Sequence, residues 1–452
     1  MTPLRLLQRS CGREFLAVAV AVAFHGSVAA AALAAPEVTP PGDEEDDDAS
    51  QIGFVIPPDV ELTPPLLLSG YIDVGYAKAA GNGTSYPTSD TRVPADYGVD
   101  PFSPAVNSRG EVASTDGGDV FVNGFTPRSV NAGGRGTFLL NTVNLDLKYE
   151  ASGSPLMFFT RLQALPRFAG SEGSRTTVYV DQAFGRLNPI KGHELFVSFG
   201  KFDSVFGIEY LDRQAPIRTG ITPSLIGRYT MSPSVGARVS YRLQIAALWS
   251  AVSLNASATN SGTFDEALKP SEVSLTGTPT GASRVGYELN LARFQLKLGG
   301  SGLVGPRNDQ QNDETMLRMW GADIRIYFAK FTLSGERIHL DEDEGAGRKY
   351  TGLGTFPVSS GFHVRGYWGQ LAYELSFANA TVQKLALYGR YDERHAWFDG
   401  FRSITVDRFT VGLRADLWRS VVAKVEYLRN RERLGAPRVP NDVLTSSLVF
   451  YW

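Results

Sequence analysis

From Leu66 to Trp452 the chain alternates apolar and polar residues with a period of two, segment after segment. Phe409, Val411, Leu413, Ala415 and Leu417 alternate with Arg408, Thr410, Gly412, Arg414 and Asp416. Val235, Ala237, Val239, Tyr241 and Leu243 alternate with Gly236, Arg238, Ser240 and Arg242. Val285, Tyr287, Leu289 and Leu291 alternate with Arg284, Gly286, Glu288 and Asn290, and Ala322, Ile324, Ile326 and Phe328 with Gly321, Asp323, Arg325 and Tyr327. Successive side chains of a strand point to opposite faces, so each segment carries one apolar face and one charged face. The 47 Gly, 18 Tyr and 26 Phe favour turns and strands over helices.

Such strands suit a soluble sandwich or a membrane barrel. About sixteen are legible, at 66–79, 136–150, 154–166, 176–187, 193–205, 233–244, 246–257, 283–291, 293–304, 315–328, 331–341, 362–377, 383–395, 405–417, 420–432 and 442–452. Their connections alternate in length. Short ones fall at 151–153, 188–192, 244–245, 292–293, 329–330, 378–381 and 417–420. Long ones fall at 80–135, 168–175, 206–232, 260–282, 305–314, 341–361, 396–403 and 434–441. A sandwich has no reason to sort its connections this way. Outer-membrane barrels do, with short periplasmic turns, long extracellular loops and an even strand number. Many segments exceed the ~5–6 residues of a soluble strand and reach the ~9–11 that span a bilayer. Aromatics such as Tyr149, Phe328, Phe331 and Trp418 cluster near strand ends, as interfacial rings do. A mean hydropathy of −0.13 is too polar for a helical membrane protein but fits a barrel with one polar face. The expected fold is all-β: a transmembrane antiparallel up-and-down β-barrel of about sixteen strands.

Two segments precede it. Residues 1–34 read as a signal peptide, with Arg5, Arg9 and Arg13 before the apolar run from Phe15 to Phe24 and Ala32-Leu33-Ala34 at the cleavage site. That run is about half the ~20 residues of a membrane-spanning helix. Cys11, the one cysteine, lies before it, so a mature chain would have no thiol. Residues 35–65 combine the acidic block 43–48 with many prolines and read as a flexible periplasmic lead-in. The block lacks the spaced ligands and glycine of a calcium loop.

At the other end Leu444, Ser446, Leu448, Phe450 and Trp452 share one face. A last strand closing on Phe450 and Trp452 resembles the sorting signal of bacterial outer-membrane barrels, which implies the barrel-assembly machinery as a partner. Gly200-Lys201-Phe202 and Phe206-Gly207-Ile208-Glu209, at the close of the fifth strand, resemble the GKF…FG-x-E segment of bacterial outer-membrane β-barrel porins. That resemblance implies a pore-forming barrel from Leu66 to Trp452 and says little about the solute.

In the barrel, charges set in alternation must face water, because each Arg or Lys on the lipid face costs about 2–4 kcal/mol at the midplane. The lumen is expected to carry Arg161, Arg238, Arg242, Arg284, Glu288, Asp323, Arg325, Arg390, Asp392, Arg414 and Asp416, with Lys297, Lys424 and Glu426 among further members. Most of them are expected to pair across strands, and the same rows can also set up a transverse field that selects polar solutes. The loop 206–232 holds Glu209, Asp212, Arg213, Arg218 and Arg228 with Pro216 and Pro223. It either folds inward as a constriction or caps the mouth.

Chemistry is sparse. His193, His339, His363 and His395 show no metal-ligand spacing, and neither HExxH, GxSxG nor a phosphate loop occurs. No catalytic residue, metal or cofactor is expected. The net charge of −3 offers no nucleic-acid footprint. The expected function is a porin-type channel for passive diffusion of small hydrophilic solutes in the bacterial outer membrane, in contact with outer-membrane lipid. A homo-oligomer is compatible with this, though no residue pattern fixes one. The alternatives are a structural or surface-interaction barrel using the loop 80–135, and a hydrolase built on Asp392, Glu393 and His395.

Overall fold

The computed structural model describes residues 66–79, 85–87, 113–116, 119–122, 136–150, 154–164, 178–231, 233–260, 277–306, 316–343, 348–349, 357–358, 362–377, 381–398, 404–433 and 442–452. The expected signal peptide and lead-in, most of the connection 80–135 and the Arg228 side chain lie outside the described residues.

Sixteen strands close one barrel. In chain order they are β1 (Leu66–Ala79), β2 (Gly136–Glu150), β3 (Leu156–Ala164), β4 (Val178–Leu187), β5 (Glu194–Phe202), β6 (Ser234–Ile245), β7 (Ser250–Thr259) and β8 (Thr280–Leu291). Then come β9 (Phe294–Pro306), β10 (Met316–Phe328), β11 (Phe331–Glu342), β12 (Phe362–Ser376), β13 (Val382–Phe398), β14 (Ile404–Leu417), β15 (Val421–Glu432) and β16 (Val443–Tyr451). Each pairs antiparallel with its neighbours in the chain, and β1 pairs with β16 from Tyr71↔Tyr451 to Ala79↔Val443. Closure leaves no free edge: Trp452 N donates to Gly70 O at 3.1 Å, and Gly70 N to Trp452 O at 3.2 Å. All sixteen segments expected from the period-two pattern are strands of this barrel.

Three connections differ from expectation. The turn expected at 244–245 lies later, because β6 runs to Ile245 and Ala246–Leu248 form a 3-10 turn. Within the long connection 80–135, Ser85–Pro87, Ala113–Asp116 and Asp119–Val122 form a small sheet. Val120, Phe121 and Val122 supply the strand-forming residues there, with Phe121 opposite both Ser85 and Ser114. Between β11 and β12, Arg348–Lys349 pair with Pro357–Val358.

The two faces of the wall are opposite in polarity. Leu68, Phe158, Leu254, Leu371, Leu387 and Val411 stand exposed on the outside, while Asn144, Arg161, Asp392, Glu426 and Thr410 are buried inside. A water-soluble barrel would reverse this, whereas a membrane requires it. Rings stand at the short-turn end, where Phe331 and Tyr373 pack at 5.0 Å and Trp249, Phe328 and Trp418 are exposed. The chain is a membrane-spanning barrel of the outer-membrane type.

Val411 lies at the middle of β14 on the outer face. Val411→Arg is expected to cost about 2–4 kcal/mol of folding free energy in lipid vesicles, read by denaturant titration. An unchanged titration would mean that this face does not meet hydrocarbon.

A loop folded into the barrel lumen

The segment 203–233 links β5 to β6 and runs through the barrel interior. Among the described residues its helical pieces are the short turns Glu209–Asp212 and Gly227–Thr230. A peptide this irregular cannot satisfy its own backbone groups, so the wall must do so. The first anchor is on β9 and β11. Gly207 N donates to Ser301 Oγ at 3.0 Å, and the amides of Ile208 and Glu209 donate to Glu336 Oε2 at 3.2 Å each. Gly207 has φ +74 and lies so close to the Glu336 carboxylate that a Cβ would collide with it. Only glycine fits.

The middle of the loop reaches the opposite wall. Arg213 pairs with Asp181 of β4 and, at 2.9 Å, with Asp203. Asp212 accepts from Arg325 of β10. Gln214 Oε1 accepts from Tyr71 of β1 at 2.9 Å and from Asn144 of β2 at 2.7 Å. Burial disfavours the Arg213 charge, but Asp181 and Asp203 outweigh it and push the guanidinium pKa up.

The second half lies on β13–β15, where charged side chains bind the main chain from both sides. Lys424 donates to Ala215 O at 2.5 Å, and Arg414 to Pro216 O and Ile217 O at 2.8 Å each. Arg390 donates to Thr222 O at 2.8 Å, and Arg408 to Pro223 O. Glu426 accepts from the amides of Ile221 (2.8 Å) and Thr222 (3.0 Å) and from the Tyr388 hydroxyl (2.7 Å). Asp392 accepts from Leu225 N at 3.3 Å. The loop also closes on itself, since Glu209 takes the amide and hydroxyl of Ser224. Burial pushes the Glu209 carboxyl above its ordinary range, against the pull of Arg390 and Ser224.

An apolar cluster completes the attachment. Phe206, Ile208, Tyr210, Leu211, Ile226 and Tyr229 of the loop pack on Leu317, Met319, Ile338, Leu340, Val364 and Trp368 of β10–β12. A hydrophobic core thus sits inside the barrel, at the end nearest the long connections.

This sorts the sequence-predicted lumen residues into two groups. Arg390, Asp392 and Arg414 point inward but lie under the loop and hold it, and Asp416 supports Arg414 at 2.6 Å. Arg161 is buried against Asp146 at 2.7 Å, and the Arg238 guanidinium lies 5.1 Å over the Phe202 ring. On the β6–β10 wall, Arg242 pairs with Glu288 at 3.0 Å, and Arg284 with Asp323 at 2.8 Å. Side-chain exposure persists at Arg242 (18%), Glu288 (13%), Lys297 (22%) and Asp212 (30%). Of the loop candidates, Glu209, Asp212 and Arg213 make the contacts above, and Arg218 donates to Ile221 O within the loop. Phe450 faces outward on β16 and is exposed, as is Trp452.

Sequence reasoning missed Glu336 and Arg408 as loop holders, along with the apolar cluster. A signal existed for the cluster: Leu317, Met319, Ile338, Leu340 and Val364 are apolar at inward positions. The hydrolase arrangement does not assemble, because Asp392 is buried inside while His395 faces out and bonds Thr405 Oγ1 at 2.6 Å. Among the described residues no group of three or more His, Cys, Asp or Glu is placed to hold a metal ion.

No protein-family model matches the chain, and no curated protein matches it. Among solved structures the barrel is similar to the outer membrane channel DcaP of Acinetobacter baumannii. The identity is 10% and the TM-score 0.48, over 86% of this chain and 97% of that one. It is similar to OmpF of Salmonella typhi at 12% identity and TM-score 0.48, over 86% and 97%. It is also similar to an anion-selective porin from Comamonas acidovorans at 11% identity and TM-score 0.45, over 86% and 99%.

Glu426→Ala leaves buried donors of the loop without their acceptor, at about 1.5–3 kcal/mol for each charged hydrogen bond. Hydrogen–deuterium exchange over 214–226 is expected to accelerate while the strands stay protected. Unchanged exchange in the loop would show that this carboxylate does not hold it.

Proposed function

We propose that the protein is a porin-type channel of the bacterial outer membrane for passive diffusion of small hydrophilic solutes. The carrying observation is the lumen: a charged interior, crossed by one anchored loop, with solvent-facing charge persisting beside it. The loop's hydrogen bonds go to β1, β2, β4, β9–β11 and β13–β15. The open path runs along β6–β8 and the short-turn part of β9, away from the Ser301 anchor. Its inward side chains are small at Ser253 and Ser257, while the Arg284–Asp323 pair fills the space over Gly299. Arg242, Lys297 and Glu288 face the path from the wall, with Arg325 beside Lys297 and Asp212 of the loop paired to Arg325.

In this reading Glu209, Asp212, Arg213 and Arg218 shape a constriction, and the cationic cluster of β13–β15 holds the loop rather than the solute. The short turns lie on the periplasmic side and the long connections outside the cell. The expected partners are outer-membrane lipid, the barrel-assembly machinery, small polar solutes and further copies of the chain. A plain scaffold barrel would have no need of a polar path beside its loop.

Planar-bilayer recording of the refolded chain is expected to show stable conductance steps. Lys297→Glu and Arg242→Glu should shift the reversal potential in a salt gradient toward cations, by tens of millivolts at most. Arg414→Glu should instead loosen the loop and make the current noisy. A folded barrel that passes no current at any voltage would contradict the channel reading.

A further inference from the structure

Three neighbouring strands invert their polarity partway along. Near the short turns of β10–β12, Ile324, Leu333 and Leu371 face out, and Asp323, Arg325 and Glu336 face in. Toward the long connections the same phase puts Leu317, Ile338 and Val364 inside, under the loop. It therefore puts Arg318, Arg337, His339 and Arg365 on the outer wall.

These outward charges are organised. Register sets Arg365 between His339 and His395, and Arg337 lies diagonal to Arg365 on the same face. The Arg365 guanidinium lies 5.3 Å over the Trp397 ring, which also stacks on His363 at 5.0 Å. Asp341 orients both His339 (3.1 Å) and His363 (2.7 Å). Arg318 is engaged by Asp343 at 2.8 Å, while Arg337 and Arg365 stand exposed.

An outward arginine is expensive at the bilayer midplane, about 2–4 kcal/mol, and tolerable only near the interface. The cluster therefore sits at headgroup level. It is also local. At the same end of β6–β9 the outward residues are Ala237, Ala256, Ala258, Ser283, Gly302 and Val304, none of them charged.

A furrow lies next to the cluster, toward the short turns. Gly335 and Gly369 are register partners, and Gly389 is diagonal to Gly369. A Cβ at Gly369 or Gly389 would meet nothing within 4 Å. Leu333, Tyr367, Leu371 and Tyr373 rise beside them, all exposed. The result is a shallow apolar channel leading away from two exposed guanidinium groups.

We propose that the outer wall of β10–β13 binds a phosphorylated lipid of the outer leaflet. The phosphate sits on Arg337 and Arg365, and an acyl chain follows the furrow at Gly369 and Gly389. Guanidinium forks match phosphate oxygens in pairs, and the Trp397 stack holds one fork ready. The site rests on the placement of the long connections at the cell surface, and is independent of whether the lumen conducts.

The test is native mass spectrometry of the full chain in detergent, titrated with bis-phosphorylated lipid A and with its dephosphorylated form. The phosphorylated lipid is expected to bind in preference, and millimolar inorganic phosphate to displace little of it. The Arg337→Gln, Arg365→Gln double variant should weaken binding about thirtyfold, with conductance unchanged. Equal binding of the two lipids by the wild-type chain would overturn the proposal without recourse to any variant. Full displacement by inorganic phosphate would overturn it in favour of a free-anion site. Undiminished binding by a folded double variant would overturn the assignment to these arginines.

Discussion

A peptide drawn into a barrel interior gives up water at each N–H and C=O, and each group then needs a partner. In this protein the wall supplies them with charged side chains. Glu336, Glu426 and Asp392 receive amides of the loop 203–233, while Arg390, Arg408, Arg414 and Lys424 donate to its carbonyls. A charged group makes a stronger hydrogen bond than a neutral one, and the loop's dipoles in turn compensate the buried charge. Neither side is stable there alone. The loop needs the charges to be buried, and the charges need the loop to be paired.

That mutual dependence explains why the two halves of the barrel differ. Strands β13–β15 carry cations because carbonyls of the loop lie on them. Strands β10–β12 carry apolar inward residues because Phe206, Ile226 and Tyr229 lie on them. Strands β6–β9 carry serine, glycine and solvated charge. In the proposed reading the interior has a packed half and an open half and is not a uniform charged tube.

The strands were legible from sequence because a lipid-facing wall forces strict alternation, and the Phe409–Leu417 pattern reads as a strand with two unlike faces. Turn 246–249 was misplaced because β6 ends on Leu243, Gln244 and Ile245, which extend the pattern into the reversal. The role of Arg414 was not legible. Period two tells which face a residue takes but not what stands in front of it, so a loop anchor and a pore-lining cation look alike. Glu336 escaped notice for the same reason. The apolar inward residues of β10–β12 were the readable exception, since alternation that inverts its polarity within one strand announces a second surface inside. The inverted outward charges, Arg337 and Arg365, are its other half.

The central claim is the division of the lumen, and cysteine accessibility tests it most directly. The chain's one cysteine, Cys11, lies in the expected signal peptide, so single thiols can be placed at will in a mature chain. Ser257→Cys faces the open path on β7, and Thr410→Cys is buried beneath the loop on β14. The account predicts that a charged water-soluble thiol reagent modifies Cys at 257 rapidly and lowers conductance, while Cys at 410 stays protected in the folded barrel. Rapid modification at 410 with protection at 257 would place the path on the opposite wall and contradict it.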